Sequence, residues 1–124
     1  MSRPTYLRGP LTAVITNLYD LSLAQRGLLE GEFRSVGILG AVVDLCVLSL
    51  GLPPVVAESL GFTAKDGDPG RLPPVELRIR DRVCHIEPFL TTGHNVVIGQ
   101  AALTALGLKY DPEWGVMDDS EPTA

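Results

Sequence analysis

The segment Gly37-Ile38-Leu39-Gly40-Ala41-Val42-Val43-Asp44-Leu45-Cys46-Val47-Leu48-Ser49-Leu50-Gly51-Leu52-Pro53-Pro54-Val55-Val56-Ala57-Glu58-Ser59-Leu60-Gly61 decides how this chain is read. One apolar run leads to Asp44, a second leaves it for Leu52, and Pro53-Pro54 opens a helix-like stretch. Proline suits a helix start, where its missing N–H has no partner to lose. Val55, Val56, Ser59 and Leu60 supply a helix face, and Gly61 suits the C-terminal cap. A lone carboxylate in so apolar a run is costly to bury without a partner. Asp44 therefore needs a structural partner or a task, and it is the best lead to function.

On the N-terminal side, Leu11 to Leu18 is rich in β-branched residues and reads as a strand. Tyr19 to Gly31 is mixed and punctuated by Gly27 and Gly31, so it is either a wide hairpin connection or a short helical turn. Glu32 to Leu39 forms a second strand that runs on through Val42-Val43, and Leu48 to Leu52 another. On the C-terminal side, Asp66-Gly67-Asp68-Pro69-Gly70 is a turn. Val75 to Arg80 alternates with period two, Asp81-Arg82 turns the chain, and Val83 to Leu90 alternates again, which is a β-hairpin. Gly93-His94-Asn95 is a turn, Val96-Val97-Ile98 a strand ended by Gly99, and Gln100 to Leu106 a short helix capped by Gly107. Leu108 to Pro112 is a last extended segment with which Trp114-Gly115-Val116-Met117 can pair. Trp114 reads as a packing or interface anchor.

The chain has 124 residues, 45% of them hydrophobic and 20% charged, the composition of one folded domain. We expect a single domain over 1–124, with its core at about 11–117 and an acidic tail at 118–124. A net charge of −5 and no basic stripe argue against a nucleic-acid partner. Val36 to Leu52 falls short of the roughly 18–20 apolar residues of a spanning helix and contains Asp44, so no membrane partner is expected. Cys46 and Cys84 are too few for a disulfide framework. Both lie in apolar strand-like runs, where a free Cys packs as a small hydrophobe. With no apolar leader after Met1, the expected location is cytoplasmic. His85 and His94 stand apart with no Cys-x-x-Cys, so neither metal nor cofactor is expected. Asp66 and Asp68 are explained by turn chemistry.

The order of elements resembles the retropepsin-like aspartic proteases, and most of all their small single-domain bacterial and archaeal members. Two segments carry the resemblance: Ala41 to Gly61, and Asn95-Val96-Val97-Ile98-Gly99-Gln100-Ala101-Ala102-Leu103-Thr104-Ala105-Leu106-Gly107-Leu108-Lys109-Tyr110-Asp111-Pro112. The family has a strand ending in Asp-Thr/Ser-Gly, an apolar strand, then Pro and a short helix ending Leu-Gly. Later come an apolar-apolar-Gly turn, a helix and a final strand, with the hairpin over Val75 to Leu90 between. The resemblance implies an all-β fold, a small acid-protease barrel with one or two short helices and half a site per chain. It implies a homodimer in which Asp44 of each copy shares a proton across the two-fold axis and activates water to hydrolyse an extended peptide.

Asp44-Leu45-Cys46 replaces the family's Asp-Thr-Gly. Leu45 cannot supply the hydroxyl network beneath the carboxylates, and Cys46 adds a Cβ where glycine eases a tight loop. Ala64 to Gly70 makes a compact flap, followed by Pro73-Pro74. The alternatives are a catalytically impaired relative that keeps the dimeric fold as a binding or assembly module, and an unrelated small β-barrel binding protein.

Overall fold

Residues 11–62, 71–113 and 115–118 are described by a computed structural model. The Asp66–Gly70 turn, the compact flap, Trp114 and the tail beyond Asp118 lie outside the described residues. The elements in chain order are β1 (Thr12–Asn17), α1 (Leu18–Gln25), β2 (Ser35–Leu39), β3 (Val42–Val43), β4 (Leu50–Leu52), α2 (Pro54–Ser59) and β5 (Val75–Ile79). They continue as β6 (Arg82–Ile86), β7 (Phe89–Leu90), β8 (Val97–Ile98), α3 (Gln100–Leu106), β9 (Leu108–Asp111) and β10 (Gly115–Asp118). Sheet dominates and the helices are short, in keeping with a small all-β fold. The described strands form open sheets rather than the expected closed barrel: four strands in the order β2-β1-β5-β6, four in the order β3-β8-β4-β7, and the pair β9-β10.

The first sheet follows the period-two patterning. Val36, Ile15, Leu77 and Cys84 stand side by side on one face, and Ser35, Thr16, Glu76 and His85 on the other, outer face, where Thr16 is nevertheless buried. Ile15, Leu77 and Ile79 are fully buried, while Val14 and Arg78 face solvent. The β5–β6 hairpin pairs Ile79 with Arg82, so the two-residue connection is Arg80-Asp81 and not Asp81-Arg82. Arg80 takes φ 58°, the left-handed region that non-glycine residues rarely adopt.

Gly40, at φ +81°, ends β2. The expected continuous strand to Val43 is therefore two, and β3 belongs to the other sheet. There β3 runs parallel to β8, and β8 pairs antiparallel with β4 on its other side. A strand from late in the sequence thus lies between two that flank Asp44. Tyr19 to Gly31 resolves in favour of helix: α1 is capped by Asn17, whose side chain accepts the Asp20 N–H. α2 begins at Pro54 after Pro53, and α3 ends at Gly107 in the left-handed conformation, φ 70°. The buried apolar side chains form one cluster from Ala13 to Val116, including Leu50, Leu52, Leu60, Ile98, Leu103 and Leu106. No helix among the described residues is long and apolar enough to cross a membrane.

Candidate functional site

Asp44 follows β3 directly and opens the loop to β4. Its N–H donates to Ile98 C=O at 3.1 Å, continuing the β3–β8 ladder by one residue. Its C=O accepts the Val47 N–H at 3.1 Å, closing a turn over Leu45 and Cys46. The far side of the loop is pinned to the start of α3. Gly99 N–H donates to Ser49 C=O at 2.8 Å, Gln100 N–H to Val47 C=O at 3.0 Å, and Ala101 N–H to Leu48 C=O at 2.7 Å. A helix start leaves its first N–H groups without partners inside the helix, and this loop supplies the missing carbonyls. Gly99 is required by close approach: a Cβ there would lie within 2.6 Å of Ser49 O and closer still to Val47 O. Backbone hydrogen bonds thereby tie the segment after Asp44 to the start of α3.

The Asp44 side chain is exposed, which corrects the expectation of a buried charge. The apolar run around it folds into a surface loop, and water, not a buried partner, solvates the carboxylate. One oxygen is nevertheless oriented, because Asp44 Oδ1 accepts the Cys46 N–H at 2.9 Å. Cys46 is also exposed, so it is not the packed small hydrophobe expected in a strand. Its φ lies outside the left-handed region, in which Arg80 is the one described non-glycine residue. The added Cβ therefore sits on ordinary backbone, and the N–H that a glycine would offer the carboxylate is still offered. Leu45 carries no hydroxyl and is 46% exposed; Leu48 in the same loop is 78% exposed. Asp44 is thus presented to solvent at the start of a hydrogen-bonded loop that also carries two exposed leucines.

Cys84 is buried opposite Leu77, and burial pushes its thiol pKa up to about 11. His85 lies 3.4 Å from Glu76 on the outer face of the first sheet, with neither Asp44 nor Cys46 as a partner. Among the described residues, no three His, Cys, Asp or Glu side chains group closely enough to hold a metal ion.

Sequence reasoning missed the carboxylate that is buried. Asp20 is 4% exposed and accepts from the Arg34 N–H at 3.2 Å, Arg34 Nε at 2.6 Å and Arg34 Nη2 at 3.0 Å. The Arg34 side-chain hydrogen bond holds its carboxyl below the ordinary carboxylate range, against the upward push of burial. Buried Asn17 extends the cluster by donating to Leu60 C=O at 2.7 Å. The available signal was Asn17-Leu18-Tyr19-Asp20, a capping residue with an acid three positions on, which marks a helix start. Beside the cluster lies a cavity of about 530 Å3 bordered by Asn17, Tyr19, Arg34, Phe62, Pro73 and Pro74. It shares no bordering residue with the Asp44 loop. Comparison of the chain with protein-family models, curated proteins and solved structures finds no match.

Proposed function

We propose that this chain is half of a retropepsin-like aspartic endopeptidase, and that two copies bring their Asp44 carboxylates together on a two-fold axis. The observation that carries the reading is an exposed carboxylate held on a loop fixed by backbone hydrogen bonds to β8 and α3, with one oxygen on the Cys46 N–H. A half-site needs a carboxylate that a second copy can reach and a loop that does not yield when it arrives. Leu45 and Leu48 supply apolar surface beside the acid for a second copy to cover.

In such a pair, two carboxylates this close cannot both ionise easily, so they share one proton. The ionised one takes a proton from water as the water oxygen attacks the scissile carbonyl carbon. The protonated one gives its proton to the carbonyl oxygen. Collapse of the resulting gem-diol breaks the C–N bond, and the amine leaves with a proton returned through the dyad. The substrate is an extended peptide lying as an added strand, held by main-chain hydrogen bonds.

A second reading is favoured by Leu45: with no hydroxyl beneath the carboxylates, the dimer serves as a binding or assembly module without turnover. Peptide cleavage between pH 3 and 7, with Asp44→Asn as control, separates the two. Cleavage lost in Asp44→Asn supports the peptidase, and cleavage that survives refutes it. A dimer without cleavage supports the module. Asp44 carboxylates more than about 6 Å apart in a dimer structure would end the shared-proton reading.

A further inference from the structure

We infer that β2 is an adhesive edge through which two copies of this chain pair, strand to strand, about Gly37. The hydrogen-bonding phase of β2 follows from its ends. Asn17 N–H donates to Arg34 C=O, and Gly40 N–H to Leu11 C=O. With Ile15 opposite Val36 and Ala13 opposite Ile38 in the same register, alternate residues of an antiparallel pair share the inter-strand bonds. Val36 and Ile38 therefore direct their N–H and C=O toward β1. Ser35, Gly37 and Leu39 direct theirs away from it, to the side where no strand pairs among the described residues.

That side is open to water. Gly37 is exposed, and a glycine has only backbone to expose. A Cβ at Gly37 would meet nothing within 4 Å. Leu39 is 77% exposed. α2 also packs near β2, and Gly61, just past α2, lies against the side chain of Arg34, the residue before the strand.

Exposed edges are usually blunted by charge, proline, a bulge or brevity. The other described edges of this molecule follow that rule. β6 carries Arg82 and His85, β9 carries Lys109, β10 is four residues long, and β3 and β7 are two residues each. β2, Ser-Val-Gly-Ile-Leu, has none of these protections. Its geometry is also self-complementary. Antiparallel pairing about Gly37 sets Gly37 against Gly37 of the second copy, with no side chain between them, and Ser35 against Leu39. Every outward N–H meets a C=O, and no like charges face each other.

The strand is short, so the pairing is weak and concentration-dependent. The net charge of −5 opposes it, so added salt strengthens it. This edge is a different surface from the Asp44 loop, and the inference stands whether or not the chain is a peptidase.

Amide hydrogen exchange of the reduced full-length chain, measured by NMR across a range of protein concentrations, tests it. The Ser35, Gly37 and Leu39 amides should slow as concentration rises, while Val36 and Ile38, already bonded to β1, should not change. Gly37→Pro removes an N–H that β1 does not use and should weaken self-association roughly tenfold or more. Gly37→Lys sets two positive charges opposite each other only when the partner is a second copy, and should weaken it also; it serves if the proline variant does not fold. Outward amides that exchange freely at every concentration would overturn the inference. So would outward amides already protected in dilute monomer, which would place the cover within the same chain. Self-association unchanged by Gly37→Lys would also overturn it.

Discussion

Removing the Asp20 carboxylate should cost this protein a sizeable share of its stability. Asp20→Ala strands three donors of Arg34, its backbone N–H, Nε and Nη2, which now sit at 3.2, 2.6 and 3.0 Å from the carboxylate. Breaking a buried ion pair from one side typically costs about 3–5 kcal/mol. The Arg34 side chain is 49% exposed, however, and can turn into water once its partner is gone. That rehydration lowers the figure toward the value of a hydrogen bond to a charged group, so we expect about 2–3 kcal/mol. For a domain of this size that is a fall of roughly 6–15 °C in Tm.

The pH dependence gives an independent check. Arg34 lowers the folded-state pKa of Asp20, so as pH falls the unfolded chain takes up the proton first. The stabilisation is complete above about pH 5, declines as pH passes the unfolded value of about 3.9, and is gone below the lower folded value. Asp20→Asn keeps the shape without the charge. The gap in Tm between wild type and Asp20→Asn, followed by circular dichroism, should be constant from pH 7 to 5 and narrow by pH 3.5. A Tm loss below about 2 °C for Asp20→Ala at pH 7 would refute the reasoning, because losses that small are typical of surface sites. A gap that holds its size down to pH 3 would refute the electrostatic part.

Three further outcomes follow from the Asp44 loop and the core. Gly99→Ala must push a Cβ against Val47 O and Ser49 O, so urea denaturation should show a loss of about 1–3 kcal/mol, and the Val47, Leu48 and Ser49 resonances should shift more than those of β5 and β6. At pH 8 a thiol reagent should modify exposed Cys46 quickly and Cys84 only as the protein opens, because a pKa of about 11 leaves roughly a thousandth of Cys84 as thiolate and burial shields it; two equally fast thiols would contradict the packing. Leu45→Thr restores a hydroxyl beside the proposed dyad without disturbing the Cys46 N–H, and should raise kcat for peptide cleavage about tenfold or more if that hydroxyl limits turnover.

What was legible in the sequence was local. The β5–β6 hairpin announced itself by alternation, and the frame of α3 by Gly99 and Gly107. Pro53-Pro54 fixed the start of α2, because proline constrains the backbone wherever it stands. The split between β2 and β3 was hidden, because an apolar run gives no sign of where a chain leaves one sheet for another; Gly40 does so by adopting φ +81°. The insertion of β8 between β3 and β4 joins residues far apart in sequence, and no period records it. The burial of Asp44 was misjudged, and that of Asp20 missed, for a related reason. Composition around Asp44 is apolar, yet a loop can carry apolar residues to the surface. Composition around Asp20 is mixed, yet Arg34, 14 residues on, makes its burial tolerable.

Exposure changes the argument about Asp44. A buried lone carboxylate would need a partner within its own chain, and the need would say nothing about function. An exposed one bears no such cost in the monomer. The Cys46 N–H aims one oxygen, β8 fixes the backbone on one side, and the close contact of Gly99 fixes it on the other. On the proposed reading, of the two supports that Asp-Thr-Gly would give an acid in this position, Cys46 offers the backbone N–H and Leu45 offers no hydroxyl. The two changes are therefore unequal. On that proposed reading Cys46 still gives the carboxylate its N–H, and turnover by two paired acids would depend on one side chain, Leu45, which a second copy would bury beside them.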